Sequence, residues 1–134
     1  MSVPGLLVRY FGIYVGLMLG MAAVFNLIGV KANAGLNTGA LIGAVLGACL
    51  WFSRSNQRYL RPNEKWAAVA GMWALDLLVQ VVMAFAIAAA TQSNMPPGPL
   101  LMVVGFVSLL HGAAILVMVW FAGRQYAKQV TRRA

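Results

Sequence analysis

The sequence predicts an all-α integral membrane protein. Residues 1–134 form a single transmembrane domain, a four-helix bundle made of two antiparallel helical hairpins. Three observations carry this expectation. The chain is 62% hydrophobic and 9% charged, against roughly 45–50% and about 25% in soluble domains. Neither Tyr10–Val30 nor Leu77–Gly123 contains an Asp, Glu, Lys or Arg, and a bilayer-crossing helix needs about 20 such residues. The basic residues cluster at alternate ends of the apolar runs, the pattern of a multi-pass chain.

The first span is expected at about residues 8–29. Arg9 ahead of this run and Ala32-Asn33-Ala34 behind it imitate a secretory signal and its cleavage site. The run is longer than the roughly 7–15 apolar residues of a signal core, so it reads as a span. A short turn containing Lys31 leads to the second span, about 34–53. The polar segment SRSNQRYLRPNE supplies a basic loop, about 54–64, before the third span at about 65–90. There Asn63 is the expected N-cap, with Glu64 beside the positive end of the helix dipole. The prolines of TQSNMPPGP break the chain, and the fourth span follows at about 100–123.

Charge sets the expected orientation. Arg9, Arg54, Arg58, Arg61, Lys65, Arg124, Lys128, Arg132 and Arg133 fall on one side of the membrane, and Lys31 falls on the other. The positive-inside rule then puts both termini and the central loop in the cytoplasm. Trp51, Trp66 and Trp120 lie at the same boundary, where interfacial aromatics are expected. The net charge of +8 is thereby accounted for by topology, without nucleic acid. Its expected partner is the bilayer itself, with Arg54, Arg58, Arg61, Lys65, Arg124 and Lys128 facing anionic headgroups.

Glycine recurs at every fourth position in the second span, at Gly35, Gly39, Gly43 and Gly47, and in the first at Gly12, Gly16 and Gly20. Each costs about 1 kcal/mol relative to alanine in a soluble helix. In lipid, small residues at this spacing let helix backbones approach closely. The expected use is a glycine zipper inside the first hairpin, Gly20 opposite about Gly43 and Gly16 opposite about Gly47. The alternative is a glycine face that binds a second copy or another membrane protein. Asn26, Asn33, Asn37 and Thr38 gather near the outer end of this hairpin, as helix-linking and turn residues or as an outward recognition patch.

Two ionisable residues, Asp76 and His111, fall near the middle of the third and fourth spans. A buried acid costs at least about 2.5–3.5 kcal/mol on insertion scales and needs a partner or a wet cavity. Antiparallel pairing predicts two rungs, Asp76 with His111 and Gln80 with Ser108. Such a pair either locks the two helices together or serves proton or ion coupling, as membrane carboxylates do in pumps and transporters. Catalysis is not expected: there is no second midplane carboxylate, no histidine pair and no nucleophile elbow. A single cysteine, Cys49, and a single histidine predict neither a disulfide nor a metal site, and no cofactor is expected. The eight methionines read as filling of lipid-facing and packing space.

The elements Arg9-Tyr10-Phe11, Asn37-Thr38-Gly39 and Arg61-Pro62 followed by Glu64 resemble those of small four-helix inner-membrane proteins of proteobacteria. The resemblance implies four spans in a bacterial inner membrane and supplies no activity. Small multidrug exporters are similar in length, but that family relies on a glutamate in its first helix, which this chain lacks. Small multispan immunity proteins are similar in size, charge and lack of catalytic groups. The expected function is therefore non-catalytic: protein–protein interaction in the bilayer, as an accessory subunit or a protector against a membrane-active toxin. The alternative is an oligomeric small transporter or channel using Asp76 and His111.

Overall fold

A computed structural model describes residues 1–29, 34–90 and 96–132. These residues are all-α: α1 (Val3–Leu27), α2 (Ala34–Asn56), α3 (Pro62–Ala90) and α4 (Pro97–Thr131). Each contains a stretch long and apolar enough to cross a membrane. The helices outrun the expected spans, because backbone hydrogen bonding continues beyond the hydrocarbon-compatible residues; α4 runs on past Gly123 through Arg124 and Lys128.

Local chemistry sets the ends. Ser2 caps α1, its hydroxyl accepting from the Gly5 N–H, and proline opens both α3 and α4, where its missing N–H costs no helical bond. Asn63 is not the cap of α3, because the helix already begins at Pro62. Instead the Glu64 carboxylate reaches back and accepts from the Arg61 N–H at 2.8 Å. Just past α1, Gly29 adopts φ +70°, the left-handed conformation that ends a helix most cheaply in glycine.

Helix α1 packs on α2 and α3, and α4 packs on α3 and α2. Large side chains of one helix fill glycine notches in the next. Leu17 and Ile13 of α1 lie against Gly43 and Gly47 of α2, Leu7 against Gly71 of α3, and the Trp73 indole against Gly112 of α4. Tyr59, in the α2–α3 loop, covers Gly123 in the same way.

The two expected glycine stripes do not meet. Gly12, Gly16 and Gly20 are exposed, and a methyl group built on any of them, or on Gly39, meets nothing within 4 Å. Gly35 is also exposed. The reason is rotational. Leu6, Tyr10 and Tyr14 are fully buried and repeat every fourth residue. A residue two positions further along turns by about 200° at 3.6 residues per turn, which puts Gly12 and Gly16 on the opposite face. Seating Leu17 and Ile13 in the α2 notches also gives close-range dispersion contacts that lipid supplies less well.

At the end where α3 begins, cations lie over aromatic rings. Arg9 lies 4.6 Å from the Trp51 ring centroid, Arg124 3.9 Å from that of Trp120, and Lys65 5.5 Å from that of Tyr59. Arg58 lies 5.5 Å from the Phe52 ring centroid and also grips Glu64 through two guanidinium nitrogens, at 2.6 and 2.8 Å, and that carboxylate raises the Arg58 pKa above its ordinary value. Arg54, Arg61 and Lys128 are exposed.

Candidate functional site

The middle of α3 presents Trp73, Asp76 and Gln80, spaced three and four residues apart and so on one face. From α4 come Ser108 and His111, one turn apart. From α1 comes Tyr14, and from α2 come Asn37 and Thr38. All four helices thus contribute to one polar centre. Asp76 is completely buried and His111 is 5% exposed.

His111 Nδ1 lies 3.0 Å from Asp76 Oδ2 and 3.3 Å from Oδ1. Gln80 Nε2 donates to Oδ2, and the Tyr14 hydroxyl lies 2.8 Å from Oδ1. On the far side of the imidazole, Nε2 faces the Thr38 hydroxyl at 3.5 Å. The Tyr14 oxygen also lies 2.5 Å from the amide of Asn37.

Counting protons limits the roles. A tyrosine carries one O–H, and an ionised carboxylate only accepts. If Tyr14 donates to Asp76, Asn37 must turn its NH2 toward the tyrosine oxygen, an amide flip that leaves its shape unchanged. An imidazole proton on Nδ1 would give Asp76 a third donor and leave Nε2 to accept from Thr38. Gln80 Nε2 and His111 Nδ1, 3.0 Å apart, are two donors converging on the same oxygen. The carboxylate thereby receives three hydrogen bonds, all from within the chain.

Sequence reasoning places Asp76 and His111 near each other but pairs the second rung differently. Gln80 folds back onto the carboxylate, the strongest acceptor within its reach, and not onto Ser108. Ser108 takes the Trp73 indole N–H, at 2.8 Å to its carbonyl and 2.9 Å to its hydroxyl. Asn37 and Thr38, both half-buried, bond into the network, and Asn26 is exposed. Asn33 lies outside the described residues. Tyr14 went unnoticed in the sequence because a tyrosine in an apolar run reads as packing; its one available signal is the Leu6–Tyr10–Tyr14 repeat.

Tyr10 stacks on Tyr14 with ring centroids 5.7 Å apart, yet its buried hydroxyl has no hydrogen-bond partner among the described residues. The two tyrosines should therefore respond differently. Tyr14→Phe should destabilise the protein by roughly 1–2 kcal/mol, while Tyr10→Phe should be neutral or stabilising, since it removes an unsatisfied group. Detergent-titration unfolding of the two variants checks this; equal losses would contradict the assigned network.

No group of three or more His, Cys, Asp or Glu residues able to hold a metal occurs among the described residues. Cys49 is buried as a free thiol. The chain matches no family model, no curated protein and no solved structure.

Proposed function

We propose that the chain is a non-catalytic, multi-pass protein of a bacterial inner membrane that acts by helix–helix contact within the bilayer. In this reading the four helices form a bundle of two hairpins with both termini in the cytoplasm, as the distribution of basic residues requires. The observation that carries it is the open glycine face of α1, with Gly12, Gly16 and Gly20 exposed and unobstructed. The chain's own helices leave unused a surface of the kind that joins membrane helices. The partner is a larger membrane complex or a membrane-active toxin. The polar centre supports this reading as a lock, because each of its strong donors to Asp76 comes from another part of the same chain.

One observation favours a second reading, a small transporter or channel coupled to protons or cations. Asn37, Tyr14, Asp76, His111 and Thr38 form a continuous string of exchangeable groups. Reconstituted vesicles separate the two. The interaction reading expects proton or cation flux equal to that of empty vesicles and unchanged by Asp76→Asn. Flux that Asp76→Asn abolishes would establish the second reading.

Gly16→Ile tests the interaction surface. The side chain enters open space, so the variant should insert and fold like the parent but lose its partner, as read by co-purification from cells expressing it at natural levels. Partner retention at parental yield would exclude this face.

A further inference from the structure

The outer surface between α3 and α4 holds two adjoining apolar clefts. One, of about 250 Å³, lies between Trp66, Trp73, Leu109 and Gly112. The other, of about 200 Å³, lies between Pro62, Lys65, Trp66 and Trp120. Val69 and Leu116 line both, so the two make one continuous groove. Along α3 it reaches from Pro62 to Trp73, about 16 Å at 1.5 Å per residue. That is close to one leaflet, half of a hydrocarbon core about 30 Å thick.

The ends of the groove differ chemically. The deep end is closed by the Trp73 indole, held by its bonds to Ser108 and seated where a side chain on residue 112 would otherwise lie. The shallow end carries Trp66 and Trp120, both exposed, together with Lys65 on its wall and the Arg124 guanidinium stacked on Trp120. The nearby acid, Glu64, is engaged by Arg58 and the Arg61 N–H. Among the described residues no carboxylate pairs with Lys65 or Arg124. An apolar trough one leaflet deep, ending in uncompensated cations between two tryptophans, matches an acyl chain below a phosphodiester.

We propose that the α3–α4 groove is a discrete binding site for one anionic phospholipid, its acyl chain lying against Trp73 and its phosphate between Lys65 and Arg124. The site is independent of which protein the α1 face contacts. It goes beyond general headgroup attraction by specifying one groove, one leaflet and a preference for an anionic lipid.

The test is tryptophan quenching by lipids brominated on the acyl chain. Only Trp51, which lies outside the groove, is changed to Phe, so that the emission comes from Trp66, Trp73 and Trp120, which line it, in bilayers whose remaining lipid is phosphatidylcholine. Brominated phosphatidylglycerol should quench this emission at a mole fraction at least about fivefold lower than brominated phosphatidylcholine, the factor expected for one basic side chain near the surface. Lys65→Gln with Arg124→Gln should remove the difference, and Ala113→Leu, which narrows the groove from its exposed rim, should weaken quenching by both lipids. Native mass spectrometry of the unsubstituted chain supplies a second reading, with one phosphatidylglycerol retained and phosphatidylcholine lost. Identical curves for the two lipids would overturn the site in favour of an ordinary lipid annulus. Absence of quenching by either would overturn it in favour of a groove covered by protein, whether a second copy or a foreign chain.

Discussion

Asp76→Ala should lower the stability of the folded protein by roughly 3–5 kcal/mol, as expected when several buried donors lose a shared acceptor at about 1–3 kcal/mol each. The loss has an identifiable origin. Tyr14, Gln80 and His111 converge on this carboxylate, and alanine removes that shared acceptor from an apolar interior. Three of the four helices lose a point of contact at once, because these donors sit on α1, α3 and α4. Asp76→Asn keeps the shape and one acceptor oxygen but turns an NH2 toward one of the donors, so its loss should be smaller, about 1–3 kcal/mol. Titration with a denaturing detergent, followed by tryptophan emission, ranks the variants. If Asp76→Ala unfolds at the parental midpoint, the carboxylate does not hold the helices together.

Gly123→Val should destabilise by about 1–3 kcal/mol, as expected for overpacking a filled contact. A Cβ on residue 123 would come within 2.7 Å of the Tyr59 ring. The ring cannot yield freely, because its hydroxyl donates to the Val119 carbonyl and Lys65 lies against its face. Displacing Tyr59 would detach the α2–α3 loop from α4. A double-mutant cycle isolates the cause: in a Tyr59→Ala background the same substitution should cost little. An undiminished cost in that background would assign the effect to something other than the ring. Gly16→Ala, by contrast, meets nothing and should be neutral or mildly stabilising through helix propensity.

These predictions mark where the sequence is readable. Four apolar helices follow from composition, because hydrocarbon imposes length and the exclusion of charge on every span. Asp76 and His111 are visible for the same reason, since an ionisable group in an apolar run stands out against its neighbours. Their neighbours are not visible. Tyr14 and Thr38 belong to residue types that pack in membranes without polar partners, and only three-dimensional placement brings them to Asp76 and His111. The glycines teach a related lesson. Their fourfold spacing is legible as a close-packing surface, but spacing does not say which way a helix is turned. In α1 the buried stripe of Leu6, Tyr10 and Tyr14 decides that, and it turns Gly12, Gly16 and Gly20 outward. Conversely Gly71, Gly112 and Gly123 belong to no stripe, and each makes room for one large side chain. Such isolated notches depend on the partner residue, and for Gly71 and Gly123 that residue, Leu7 or Tyr59, lies far away in sequence.

The most direct measurement is site-specific crosslinking in native membranes at natural expression. The buried Cys49 is replaced by Ala, and a single cysteine is introduced at Gly16 on the open face of α1 or at Val82 on the exposed side of α3. Intact complexes are then weighed. The account predicts a stoichiometric adduct with one foreign membrane protein from the Gly16 position and none from Val82. A chain that crosslinks only to itself, or equally from both positions, would contradict a partner-binding role for the α1 face.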